Sequence, residues 1–411
     1  MTFTILLYLR PNEWLPIGTF PIVKIVTLVA LAALFLEQLG EGRPFSIMPK
    51  EFKYLLGIAL LMVISIPIGL SPGDSFAGFT NDFLKVVLIF MLMINVVSSL
   101  SRLRRLLHVT VLCGTFIAVG SIGRYASGEN LADGYRATGI VGGIFGNPND
   151  LALALNLLLP IAIVLLLSGR SPAGKLLFAF CAATLALGVL VTYSRAGVMT
   201  LGALGIVLLW HLHRRYPIVL PIAAGAVIIL VIVAPGSFWT RIFTVFDASA
   251  DPSAAQSSEL RWALLQRSIE VAGLNPIRWM LGVGVDNFHI VSVGELVQHN
   301  SYAQMFNEVG LPALVLYLMF LFGLIRTTGR IAGAFAGVRG RRNIWLIAVG
   351  LQTSLVAYAV GSMFASTAYL WYLYYIAGFS VCLKMLVLAS IKKVERTEVP
   401  RRVWNLRRLQ Y

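Results

Sequence analysis

Charge is scarce in this sequence. Only 12% of its 411 residues are Asp, Glu, Lys or Arg, while 58% are hydrophobic. An ordinary soluble domain carries about 25% charged residues. A water-facing surface is not readily assembled from so few charges, so a polytopic membrane protein is implied, and no separate soluble domain is visible. Cysteine is nearly absent. Cys113, Cys181 and Cys382 lie far apart within apolar runs, which leaves no disulfide framework and no zinc spacing. Acidic residues are outnumbered 18 to 33 by Lys and Arg. The loops hold no Asp-x-Asp pair and no His/Glu cluster with metal spacing. Asp247 and Asp251 in DASAD are too isolated to argue for Mg²⁺. A Walker loop is missing, and the basic connections are too short for a nucleotide site. A cleavable leader is not expected, because no basic n-region opens the chain and Arg10-Pro11 interrupts the first apolar run. No internal repeat stands out.

Apolar runs are what the chain has in abundance. A hydrocarbon core about 30 Å thick needs roughly 20 apolar residues in a helix. Isolated strands cannot satisfy their backbone there, so each run predicts an α-helix. Eleven clear spans are expected near 17–38, 53–70, 80–98, 105–122, 149–168, 173–192, 196–212, 216–234, 302–326, 342–362 and 367–389. Residues 1–16 fit a short first span, an interfacial helix or a broken segment packed on the bundle. The net charge of +15 does not imply nucleic acid, because the basic residues stand in short loops beside spans. Those loops (39–52, 99–105, 169–175, 211–216 and 327–341) alternate as cytoplasmic loops should. The basic tail 390–411 joins them and is expected to rest on anionic headgroups. Segments 123–148 and 235–301 then lie outside. The chain divides into helices and short loops over 1–234, a long outer loop over 235–301, further spans over 302–389 and the tail.

Both outer segments contain residues that carry chemistry. The first is glycine-rich and closes on Asn147-Pro148-Asn149-Asp150, where Asn149 or Asp150 would cap the following span. The second predicts an amphipathic helix near 258–273, a turn at Asn275-Pro276 and a Gly282-Val283-Gly284 cluster. Positive-inside topology disfavours arginine on this side, so each one needs a reason. Arg195 follows Ser194 in the polar break TYSR between two apolar runs. An unpaired arginine in hydrocarbon costs about 3 kcal/mol. It is either snorkelling to the interface or facing a cavity, where its planar fork suits phosphate oxygens. Arg136, Arg241, Arg261 and Arg267 are weaker cases of the same kind, Arg136 gaining from its glycine-rich surroundings; Arg278 beside Trp279 is as readily a surface residue. His108, His211 and His213 fall inside, leaving His289 and His299 outside. His299 stands just before a span and is either a hydrogen-bonded interfacial residue or a general base near neutral pH. Arginines with one base, and no metal or nucleotide, suit transfer from a lipid diphosphate to a hydroxyl.

The order of motifs strengthens this. TYSRAGV is followed by LRW, a proline, GVGVDNF and HNSYAQMFNEVG, and preceded by RPNEWLP, FPIVKI and ATGIVGGIFGNPND. Over most of its length the chain resembles the O-antigen ligase and polymerase superfamily. The resemblance implies about twelve spans, residues 1–16 helping to form the first, and a fold like that of the GT-C glycosyltransferases. It implies a glycan donor on undecaprenyl diphosphate at the periplasmic face of a bacterial inner membrane. In the ligase branch the acceptor is a sugar hydroxyl of lipid A-core. By the same resemblance His299 matches the family's essential histidine, Arg195 and Arg261 match arginines assigned to the donor diphosphate, and Arg136 assists. Ser194, Asn300, Asn147 and Asn149 join them as substrate-binding candidates. No cofactor or metal is implied, and attack opposite the leaving group inverts the anomeric centre. A polymerase using a second lipid-linked glycan, or a protein O-oligosaccharyltransferase, would share these motifs. A transporter is the reading from another class. It would place ionisable residues near mid-membrane, whereas Lys24 and Lys85 lie near span ends and Lys384 near the inner boundary.

Overall fold

Backbone groups in a chain this apolar must be satisfied within each segment. The computed structural model accordingly folds almost wholly as helix; it describes residues 1–11, 22–42, 44–244, 252–273 and 275–395. Residues 12–16 of the N-terminal segment, Asp247, Asp251 and the tail from 396 lie outside the described residues. In chain order the helices are α1 (Thr2–Leu9), α2 (Ile22–Gly40), α3 (Lys50–Ser65), α4 (Pro72–Gly78), α5 (Leu84–Val96), α6 (Leu100–Ser127), α7 (Pro148–Ser168), α8 (Pro172–Val191) and α9 (Arg195–Leu212). They continue with α10 (Val219–Val233), α11 (Gly236–Phe243), α12 (Pro252–Gly273), α13 (Pro276–Leu281), α14 (Phe288–Val291), α15 (Ser301–Val309), α16 (Leu311–Phe335), α17 (Arg342–Gly361) and α18 (Trp371–Glu395).

Among the described residues ten helices are long and apolar enough to cross a membrane, and eleven if α10 and α11, bent by 110°, count as one span. They fall at the eleven positions read from the sequence. Helix α7 is the axis, its span 83% buried, with α6, α8, α9 and α17 packed around it. At the other extreme, α2 is 6% buried and α10 has no buried residue, so both present apolar side chains outward as lipid-facing helices do. Lys384 on α18 places its Nζ 2.9 Å from both carboxylate oxygens of Glu51 on α3, the pairing that a buried membrane charge requires.

Of the readings open for residues 1–16, the described part fits a segment packed on the bundle. Helix α1 has eight residues, about 12 Å, too short to cross by itself, and it places Thr4 2.5 Å from the Tyr375 hydroxyl and the Tyr8 ring 4.6 Å from that of Trp371. Two boundaries differ from the sequence expectation. The span expected at 302–326 starts only at Leu311, because Gly310 adopts φ 97° and separates it from the nine-residue α15. The helix expected near 258–273 begins earlier, at Pro252.

Candidate functional site

The break between α8 and α9 sets the first part of the site. Tyr193 takes φ 51°, which turns the chain, and Ser194 then caps α9 by accepting the Gly197 N–H at 3.1 Å. Arg195 therefore occupies the first position of α9. It donates to the Thr244 hydroxyl at 3.0 Å, just beyond α11. The Ser194 hydroxyl also donates to Asn149 Oδ1 at 2.8 Å, and the same oxygen accepts from Arg136 Nη2 at 2.8 Å. Arg136 further donates to the Thr192 carbonyl at 3.1 Å and pairs with Asp133 at 3.2 Å. Capping of α7 falls to Asn147, which accepts the Asn149 N–H at 2.8 Å, rather than to Asn149 or Asp150; Pro148 fills the first helical position, where its missing N–H costs nothing.

Helix α15 sets the second part. Asn300 caps it through the N–H groups of Tyr302 and Ala303 at 2.9 and 3.0 Å, and His299, at φ 51°, sits one residue before the cap. A non-glycine residue at positive φ persists only where its surroundings hold it. Here Ser301 N–H donates to the Ser362 carbonyl at 2.8 Å, and the Ser301 hydroxyl donates to the Ala365 carbonyl at 2.7 Å. At its far end α15 is gripped by the 282–284 segment: Val283 N–H donates to Asn307 O at 2.7 Å and Gly284 N–H to Glu308 O at 3.0 Å. Gly282 (φ 67°) and Gly310 (φ 97°) permit this approach, since a Cβ on either would collide with backbone of the partner segment.

Two adjoining chambers result. One, of about 440 Å³, is lined by Asp133, Tyr135, Arg136, Asn149, Arg195, Arg241 and Arg261. The other, of about 550 Å³, shares Arg195 and Arg261 and adds Trp262, Gln298, His299, Asn300 and Phe364 among its walls. First-turn residues of α7, α9 and α15 line the pair, so three helix N-termini add positive potential. Four guanidiniums thus face one carboxylate. Burial and then the neighbouring Arg195 and Arg136 press the Arg261 pKa below its usual value, and burial and then Arg241 do the same at Arg136. This like-charge crowding is unfavourable alone and is relieved by an anion. Arg261 also lies 6.0 Å from the Phe364 ring centroid. Burial, and then Arg261, hold His299 below the usual imidazole value, leaving a neutral ring able to accept a proton. Among the described residues no group of three or more His, Cys, Asp or Glu side chains could hold a metal ion.

The structure brings together Arg136, Asn149, Arg195, Arg261, His299 and Asn300 at these chambers. Ser194 is fully buried and Asn147 is committed to its cap, so these two support the walls without lining them. Arg241, weighed lightly in the sequence, is a chamber wall: it donates to the Tyr193 carbonyl at 3.0 Å and lies 5.3 Å from the Tyr135 ring centroid. Arg267 instead pairs with Glu270, and Arg278 donates to the Ile68 and Gly282 carbonyls. Thr244 and Phe364 carried no sequence signal, and Trp262 stood out only as part of the LRW motif. Gln298 adjoins His299 and was findable by that adjacency alone.

Residues 177–318 match the family model described as O-antigen ligase. The match takes in Arg195, Arg241, Arg261, His299 and Asn300 and leaves Arg136 and Asn149 outside it. None of the curated proteins compared with the chain matches it.

Proposed function

The chain belongs to the O-antigen ligase/polymerase superfamily, and on that footing we propose that it transfers a glycan from a lipid diphosphate to an acceptor hydroxyl at these chambers. The donor is an undecaprenyl-diphosphate-linked glycan, the acceptor a sugar hydroxyl of lipid A-core, and the site faces the periplasm from the bacterial inner membrane. One observation carries the proposal. Arg195 and Arg261 line both chambers, so a diphosphate held in the arginine chamber meets the chamber wall that bears His299.

The chemistry follows from the side chains. His299, neutral at working pH, accepts the proton of the acceptor hydroxyl as its oxygen attacks the anomeric carbon. The new carbon–oxygen bond forms as the bond from that carbon to the phosphate oxygen breaks. The electron pair leaves with the diphosphate, where Arg195 and Arg261, assisted by Arg136 and Arg241, stabilise the developing charge. Donors placed in advance where charge appears typically contribute about 3 kcal/mol each. Attack opposite the leaving group inverts the anomeric centre. Asn300 caps α15 one residue after His299 and so fixes the chain there, and Asn149 orients the Arg136 guanidinium by accepting from its Nη2.

Complementation tests this. In a ligase-deficient host the wild type is expected to restore the high-molecular-weight lipopolysaccharide ladder, and an equally expressed His299→Ala to leave bare core. A wild type that restores nothing there, but lengthens lipid-linked chains in a polymerase-deficient host, would replace lipid A-core by a second lipid-linked glycan and leave the residue roles intact.

A further inference from the structure

Resting on the transfer chemistry above, we propose that the Gln298 amide and the Ser268 hydroxyl are the acceptor-binding pair of the His299 chamber. Both side chains line it. Gln298 is 4% exposed and Ser268 2%, yet among the described residues neither amide atom of Gln298 nor the Ser268 hydroxyl has a hydrogen-bond partner. Buried polar groups left unpaired cost free energy, and each one in a native fold calls for a reason. Here two occur on separate elements facing one chamber. Ser268 lies seven residues beyond Arg261 on α12, with Leu265 between them, so a single helix face carries all three to the chamber. Gln298 directly precedes His299.

The chemical fit is to a sugar. An amide donates and accepts, as does a hydroxyl, and a sugar hydroxyl needs both. The Trp262 side chain on the same wall offers a flat apolar face for the C–H side of a pyranose, and the residue is 62% exposed. Arg136 and Arg241 lie on the other side of Arg195 and Arg261, which leaves the diphosphate there and the uncharged acceptor hydroxyl here. When the acceptor arrives, rotation of the Gln298 amide out of the wall satisfies atoms that the empty site leaves stranded. Binding energy is thereby directed to the hydroxyl next to the base.

The test uses full-length protein in proteoliposomes, with undecaprenyl-diphosphate-linked glycan as donor and lipid A-core from ligase-deficient cells as acceptor. Gln298→Leu removes the stranded atoms and keeps the bulk. It is expected to raise the acceptor KM about tenfold and Ser268→Ala about threefold, with donor KM unchanged and Tm equal to or above wild type. Gln298→Glu, which keeps the size but loses the amide donors, should also raise acceptor KM and serves if the leucine variant does not fold. Acceptor KM within twofold of wild type in the folded Gln298 variant, or a rise confined to donor KM, overturns the assignment. A wild type that transfers nothing overturns the transfer chemistry itself, which separates the two failures.

Discussion

His299 and its arginines form one electrostatic unit. Burial and the Arg261 charge both disfavour the imidazolium, so the ring stays neutral to lower pH than an ordinary histidine, whose pKa is about 6.5. A general base is active when deprotonated. The acid limb of kcat/KM is therefore expected below that value in the wild type. Arg261→Gln removes one of the two causes and should move the limb upward while lowering the rate, which a pH profile of both proteins checks; an unmoved limb would uncouple the two side chains. How far this was legible in the sequence varied by residue. Arg195 and His299 announced themselves, one as a cation in a polar break and the other as a histidine against a span. Arg241 did not, because its standing comes from Tyr135, 106 residues away in the chain. Contacts of that separation leave no local pattern.

At the scale of elements, the short helix α15 matters most. Hydropathy merges it with α16, because Tyr302, Ala303, Met305 and Phe306 extend the apolar run. Only the backbone at Gly310 separates the two. The separation allows α15 to lie between the loop at 361–368 and the 282–284 segment, with His299 at its start. Glu308 is part of that clamp. One carboxylate oxygen accepts the Asp286 N–H at 3.0 Å, and burial pushes its pKa up to about 8. The unfolded value is about 4.3. The folded value is thus raised, so the contribution to stability is present below the unfolded pKa and is lost as pH rises through about 8. The Glu308 contribution to the wild-type Tm is expected to fall from about pH 4 to about pH 8 and to level off above, and Glu308→Gln, neutral throughout, to flatten that fall. Melting curves across the range decide it; an equal slope in both proteins would assign the loss elsewhere. Sequence alone marked Glu308 only as part of a motif, since its burial depends on segments far away in the chain.

Across the whole molecule the legible and the illegible divide along the membrane normal. Runs of roughly 20 apolar residues are local, so the eleven span positions could be read from composition. The alternation of basic loops placed both polar segments at one end, where Arg136, Arg195, Arg241, Arg261 and His299 are found together. Their convergence depends on the packing of α9 and α17 on α7, on the bend between α10 and α11, and on the docking of α12, none of which has a period or motif. The resulting division of labour is the central claim: arginines bind the diphosphate, and His299 only moves a proton. It is tested most directly by titrating undecaprenyl diphosphate into purified full-length protein and its variants, with glycan transfer assayed alongside. Wild type and His299→Ala should bind with equal Kd. Arg195→Lys, which keeps the charge but loses the fork, and Arg261→Gln should bind about tenfold more weakly or worse, and all three variants should lose transfer. Arginine variants that bind as tightly as wild type, or a histidine variant that binds as poorly as they are expected to, would contradict it.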